Sequence, residues 1–161
     1  MWVVKFIPLL LGLITLLIVG SIFFFNQSED QILGTKSPAG KPDHTLVFVG
    51  DSFTEYLGNF VELEEYLGKY YPHKKFLLLN YGFGSTSILN LQERVTQDST
   101  HSGRIFMPIN EIQFDLIFIE SFGHNPLSHL PLEEGLAKQT EILNQTVATL
   151  SAKHPRSSIV F

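Results

Sequence analysis

Short, largely apolar runs alternate with segments of helical periodicity from residue 44 onward, and this alternation restricts the possible folds more than any other feature. Residues 45–49, 76–79 and 114–119 form three such runs. Runs of this length and composition are typical of strands that are buried on both faces of a parallel sheet. The sequence therefore predicts an α/β domain with three layers, α/β/α, in which helices cover both faces of the sheet.

The segments between and after these runs carry the periodicity of helices. Apolar residues recur at helical spacing in residues 60–70, where Pro72 ends the pattern, and again in residues 132–150. Residues 87–97 are predicted to form a shorter helix. Residues 158–161 are predicted to begin a fourth strand, inside which the sequence ends.

An uncharged run of apolar residues, 6–25, precedes the α/β part of the chain. A hydrocarbon core about 30 Å thick is crossed by about 20 apolar residues, so residues 1–25 are predicted to be a single transmembrane anchor. Lys5 on the short N-terminal side favours an extracytoplasmic position for the following domain. The alternative is a signal peptide cleaved near Val19-Gly20-Ser21, which gives a secreted protein.

Residues 26–43 are polar and contain Gly34, Pro38, Gly40 and Pro42, which is typical of a flexible linker. This linker separates the predicted anchor from the domain, which spans residues 44–161. No internal repeat or low-complexity tract interrupts the domain.

The composition excludes several classes of function. The formal net charge is −5 and lysines and arginines form no cluster, which argues against nucleic-acid binding. The chain has no cysteine, so disulfides, thiolate catalysis and cysteine-based zinc sites are excluded. Neither the Gly-x-Gly-x-x-Gly nor the P-loop pattern occurs and the histidines lack a metal-ligand spacing, so no cofactor or metal is predicted.

Ligands of open α/β sheets bind beyond the carboxyl ends of the strands, which directs attention to three loops. The first is Gly50-Asp51-Ser52-Phe53-Thr54, where Ser52 is predicted to lie at the N-terminus of a helix. A hydroxyl there faces backbone N–H groups and the positive end of the helix dipole, which suits a nucleophile that generates an oxyanion. The alternative is that Asp51 or Ser52 merely caps the helix.

The second and third loops, residues 80–87 and 120–130, offer hydrogen-bond donors at the same edge. Two glycines in the second loop allow its backbone to approach a ligand, although a turn before a helix capped by Ser85 or Thr86 also explains them. In the third loop the Asn125 amide can donate to developing negative charge, or it can simply form a turn with Pro126. The neighbouring His124 is interpreted as a surface residue.

Together these three loops resemble the sequence blocks of SGNH/GDSL serine hydrolases. Gly50-Asp51-Ser52 is similar to the first block, residues 80–86 to the second, and Gly123-His124-Asn125 to the Gly-x-Asn of the third. The resemblance extends over residues 44–161. Phe53 stands where the family often has leucine or isoleucine.

The resemblance implies a role for one residue of each loop. Ser52 becomes the nucleophile, and Gly84 and Asn125 line the oxyanion hole, with Gly82 as the alternative to Gly84. It also implies the flavodoxin-like parallel sheet of the SGNH fold, here incomplete at its C-terminus, and an esterase activity. The substrate is then a small-molecule, glycan or lipid acyl ester, whereas the oligomeric state is not predicted.

A base for the serine is missing from its expected place. In the family a late Asp-x-x-His block supplies it, and no such block follows residue 125, so the sequence is interpreted as a fragment or a truncated reading frame. Asp98-Ser99-Thr100-His101 fits the pattern literally. It lies between the second and third blocks, however, in a polar stretch that is predicted to be solvated.

Two rival hypotheses concern function. A non-catalytic, membrane-tethered binding or scaffold domain on the same fold is the alternative to the esterase, because the chain lacks an evident base. A flavodoxin-like nucleotide binder is disfavoured by the absence of a phosphate-cradling loop.

Overall fold

The structure, a computed structural model, describes residues 40–120, 122 and 129–161. Six strands, four α-helices and two short 3₁₀ helices occur in these residues. In chain order they are β1 (His44–Gly50), α1 (Ser52–Tyr56), α2 (Val61–Tyr70), β2 (Phe76–Gly82), a 3₁₀ helix (Ile88–Asn90), α3 (Leu91–Thr96), β3 (Ser99–His101), β4 (Arg104–Phe106), a second 3₁₀ helix (Ile109–Glu111), β5 (Leu116–Ile119), α4 (Leu132–Lys153) and β6 (Ser158–Val160).

Four of the strands form one parallel sheet in the order β2-β1-β5-β6. The register pairs Gly50 of β1 with Gly82 of β2, and Val49 of β1 with Ile119 of β5. The three strands therefore end at the same edge of the sheet. The predicted α/β class with a parallel sheet is confirmed.

Helices cover both faces of this sheet. Successive side chains of a strand point to opposite faces, so each strand contributes residues to two separate clusters. On one face the strand residues Val47, Leu79 and Ile117 pack in a buried cluster with side chains of α3 and α4. On the other face Leu46 and Leu78 pack with residues of α2. The helix residues are Leu91 and Val95 of α3, Ile142 and Leu150 of α4, and Leu63 and Leu67 of α2.

The predicted helix over residues 87–97 is divided in two. A 3₁₀ turn, Ile88–Asn90, comes first and α3 follows. Ser87 caps this turn by accepting a hydrogen bond from the backbone N–H of Leu89, at 3.2 Å, so the prediction of Ser85 or Thr86 as the cap is wrong. The Thr86 hydroxyl instead donates to the Phe83 carbonyl, at 2.5 Å.

A β-hairpin of β3 and β4 was not predicted, and it corrects the expectation for His101. The chain turns at Ser102 and Gly103, whose φ angles are 50° and 75°, as a two-residue hairpin turn requires. This turn folds the segment back against the domain. The His101 side chain is only 20% exposed rather than solvated.

None of the helices in the part of the chain that the structure describes is long and apolar enough to cross a membrane. The predicted anchor, residues 1–25, and nearly all of the predicted linker lie outside the described residues.

Candidate active site

The first and third loops are tied together where they leave the sheet. The carboxylate of Glu120, the residue after β5, accepts hydrogen bonds from the Asp51 backbone N–H at 3.1 Å and from the Thr54 hydroxyl at 2.7 Å. The Glu120 backbone N–H also donates to the Val49 carbonyl, at 2.8 Å. The start of the third loop is thereby fixed beside the Gly50-Asp51-Ser52 turn.

Helix α1 is capped by Asp51, and this resolves the choice between Asp51 and Ser52. The Asp51 carboxylate accepts a hydrogen bond from the Phe53 backbone N–H, at 2.9 Å. Ser52 is the first residue of the helix and is exposed. Its hydroxyl forms no hydrogen bond with any residue in the described ranges, so it is available for chemistry.

Helix α1 lies directly over the end of β2, and only a glycine leaves room for it. A Cβ atom added to Gly82 would collide with the backbone of Glu55 and come within 2.5 Å of the Thr54 carbonyl carbon. Asn80 fixes this contact, because its amide donates to the carbonyls of Thr54, at 3.0 Å, and Gly58, at 2.8 Å. The Asn80 side-chain oxygen accepts the Gly82 N–H, at 2.7 Å.

Ser52 and Gly84 are close together. A Cβ atom built on Gly84 would lie 3.7 Å from the Cβ of Ser52. The Gly84 N–H donates to a carboxylate oxygen of Glu55, at 2.7 Å. The Gly84 backbone amide, which lies beside the predicted nucleophile, therefore binds an anionic group of the chain itself.

Glu55 is held on its other side by His101, whose Nε2 lies 2.7 Å from the second carboxylate oxygen. The His101 ring stacks on Phe83, with ring centroids 4.7 Å apart and an interplanar angle of 6°. The hydrogen bond from His101 lowers the pKa of Glu55, partial burial opposes this effect, and the Gly84 N–H lowers the pKa further. Glu55 is thus an ionised carboxylate anchored at both oxygens.

A cleft of about 110 Å³ opens beside this pair. Glu55 and His101 form part of its wall, together with the polar side chains of Asn59 and Arg104 and the ring of Phe106. The His101 ring therefore packs on the buried ring of Phe83, and the His101 and Glu55 side chains both border a space that a small ligand can enter.

Glu55, Glu120 and Arg94 were not found by inspection of the sequence. Arg94 had a detectable signal, since it is a charged residue at helical spacing from the apolar Leu91 and is buried with Leu91 and Val95 on α3. The two glutamates had none, because their partners are contributed by distant loops.

Two residues of the predicted third block remain to be placed. Asn125 and His124 lie outside the described residues, although the loop that carries them begins at the same sheet edge as Ser52 and Gly84. Among the residues that the structure describes, no group of three histidine, aspartate or glutamate side chains is arranged to hold a metal ion.

No family model matches the chain, and no match to it is found among curated proteins or solved structures.

The hydrogen bonds to Glu55 make the stability of the fold depend on pH. We expect Glu55→Gln to destabilise the protein at neutral pH, because His101 and Gly84 lose a charged acceptor. The pKa of Glu55 is lower in the folded than in the unfolded chain, so the difference is complete above about pH 5 and disappears as the pH falls through the folded-state value.

Urea unfolding of both proteins between about pH 3 and pH 7 measures this difference. Glu93→Gln, in an exposed part of α3, controls for the loss of a carboxylate as such. A difference between the wild type and Glu55→Gln that stays constant over this range would contradict the assignment.

Proposed function

We propose that the chain belongs to a membrane-anchored serine hydrolase of the SGNH/GDSL type, which cleaves acyl esters with Ser52 as the nucleophile. The observation that carries the proposal is the exposed hydroxyl of Ser52, which lies at the start of α1 and next to Gly84. Asp51, and not Ser52, caps the helix. The order β2-β1-β5-β6 supports it, because a flavodoxin-like sheet arranges its first four strands as 2-1-3-4.

The reaction begins with attack of the Ser52 oxygen on the ester carbonyl while a base takes the hydroxyl proton. The tetrahedral oxyanion accepts hydrogen bonds from the N–H groups of Ser52 and Gly84 and from the Asn125 amide. It collapses to an acyl-serine as the protonated base returns its proton to the departing alcohol, and water, deprotonated by the same base, then hydrolyses the acyl-serine to the carboxylic acid and regenerates Ser52. Each such donor contributes roughly 3 kcal/mol to transition-state stabilisation.

Gly84 is favoured over Gly82 as the backbone donor. The Gly82 N–H is bound to Asn80, whose side chain is itself fixed by two further hydrogen bonds. The Gly84 N–H is bound to Glu55, whose side chain is 40% exposed, and Gly84 lies beside Ser52. A substrate oxygen that binds the Gly84 N–H has to displace the Glu55 carboxylate from this hydrogen bond.

By the resemblance to the family, the base is assigned to a histidine of the late Asp-x-x-His block and not to His101. Residues 1–25 supply the membrane anchor, and the domain lies on the extracytoplasmic side. An enzyme in that position meets acylated glycans, lipids and small esters, and we propose its substrate among these.

A fluorophosphonate probe tests the proposal directly, because it forms a covalent bond with an activated serine. We expect the protein to be labelled, and peptide mapping to place the label on Ser52. Ser52→Ala should remove the label. Ser151→Ala, which alters an exposed serine of α4, should leave it unchanged.

One observation favours the second candidate, a membrane-tethered binding domain without catalysis. The Gly84 N–H already has an internal acceptor in Glu55, as expected for a site that is not used to stabilise an oxyanion. A folded, full-length protein that the probe does not label would support this candidate and reject the hydrolase.

A further inference from the structure

We infer that Arg94 is a positioning residue that joins the three loops beneath Ser52 and fixes their relative placement. The contribution to catalysis rests on the proposed function, whereas the joining of the loops does not. Arg94 lies in α3, outside the three loops, and its side chain is 3% exposed.

Arg94 contacts the first loop through a hydrogen bond. Its Nη1 donates to the Gly50 carbonyl, at 3.0 Å. The same carbonyl accepts the backbone N–H of Phe83, at 3.1 Å. Two donors, one of them charged, therefore fix the peptide group two residues before Ser52, and one of them belongs to the second loop.

Arg94 contacts the second and third loops as well. Its Nη1 also donates to the Thr86 hydroxyl, at 3.3 Å, and its guanidinium group lies over the Phe83 ring, 4.6 Å from the centroid. On the third loop, the ring of Phe122 lies 5.6 Å from the guanidinium carbon. One side chain thus touches a residue of each loop.

The charge on Arg94 is maintained although the side chain is buried. Burial lowers its pKa to about 10, and the negative charges of Asp51 and Glu120 counteract part of this effect. The group therefore stays protonated at neutral pH. Its Nε and Nη2 have no hydrogen-bond partner among the described residues. Burying these unpaired donors costs free energy, so an apolar side chain would fill the space more favourably if Arg94 served only as packing.

No other side chain reproduces this set of contacts. Lysine keeps the charge and reaches one acceptor, but it lacks the planar group that lies over Phe83 and Phe122. Glutamine keeps the polarity and loses the charge. The two variants separate the role of the cation from that of the planar stack.

The test compares Arg94→Gln and Arg94→Lys with Val95→Ala, in the full-length protein. Val95 is the buried neighbour on the same helix, and its truncation destabilises the core without altering a loop contact of Arg94. All variants are compared at a temperature at which circular dichroism shows them to be folded.

Amide hydrogen exchange of residues 49–54 and 80–87 is the first readout. We expect Arg94→Gln to lose protection in both segments by about tenfold or more beyond the loss measured in α4, Arg94→Lys to lose less, and Val95→Ala to lose no more in these segments than in α4. No loss beyond that of α4 in Arg94→Gln, or an equal excess loss in Val95→Ala, overturns the inference. If Arg94→Gln does not fold, Arg94→Lys decides by the same comparison.

The rate of fluorophosphonate labelling at Ser52 is the second readout. A displaced nucleophile reacts more slowly, so we expect Arg94→Gln to be labelled about tenfold to a hundredfold more slowly than Val95→Ala. If the wild-type protein is not labelled, the proposed hydrolase function is refuted. The hydrogen-exchange result then still tests whether Arg94 joins the loops. Labelling of Arg94→Gln at the wild-type rate overturns the positioning role.

Discussion

Replacing Ser52 with alanine is expected to reduce hydrolysis of a short acyl ester to the background rate, a loss of about a thousandfold or more. Alanine has no oxygen to attack the carbonyl, so no acyl-enzyme forms. The measurement is kcat/KM of the full-length protein and the variant on a chromogenic acetate ester. The effect is purely chemical, because the helix cap at Asp51 does not depend on the Ser52 hydroxyl.

Stability serves as the control for this prediction. Ser52 is exposed and forms no side-chain hydrogen bond within the described ranges, so Ser52→Ala should unfold at the wild-type urea concentration. Ser151→Ala should retain both activity and stability. If the folded Ser52→Ala protein hydrolysed the ester at the wild-type rate, Ser52 would not be the nucleophile.

The second large effect is expected from Gly82→Ala, which should destabilise the fold by more than about 3 kcal/mol or prevent folding. The added methyl group would overlap the backbone of α1 at Glu55. The helix is not free to retreat, since Asn80 holds the carbonyls of Thr54 and Gly58. Urea unfolding monitored by circular dichroism measures the loss.

Gly68→Ala is the matched control, because Gly68 lies inside α2 and a Cβ atom there meets nothing within 4 Å. We expect this variant to be more stable than the wild type by up to about 1 kcal/mol, from helix propensity alone. Equal stability of Gly82→Ala and the wild type would show that α1 does not lie over the end of β2.

The four strands of the sheet and the helices α2 and α4 were predicted because the burial of one or both faces produces a recognisable hydrophobic pattern in their sequences. Val47 and Ile117 lie in apolar runs, and Leu63 and Leu67 repeat at helical spacing. The β3–β4 hairpin left no such record, because each of its strands has three residues and little apolar alternation. Only the pair Ser102-Gly103 indicated a turn.

The parts of the site that depend on residues close together in the sequence could be predicted. A glycine, an aspartate and a serine after a buried strand locate Ser52 at the N-terminus of a helix, and this is where it lies. The partners of Glu55 and Glu120 were out of reach, since His101 is 46 residues from Glu55 and Asp51 is 69 residues from Glu120. The periodicity of hydrophobic residues reports only local structure, so it does not predict hydrogen bonds between residues so far apart in the sequence.

The central position of β1 has a consequence for synthesis of the chain. Ile117, which pairs with Val47, leaves the ribosome 70 residues later, and at about 5 to 20 residues per second this takes about 4 to 14 s. Through that interval one side of β1 has no strand beside it. A nascent chain with such an open apolar strand is a natural client for a chaperone, which protects it from aggregation until β5 has been translated.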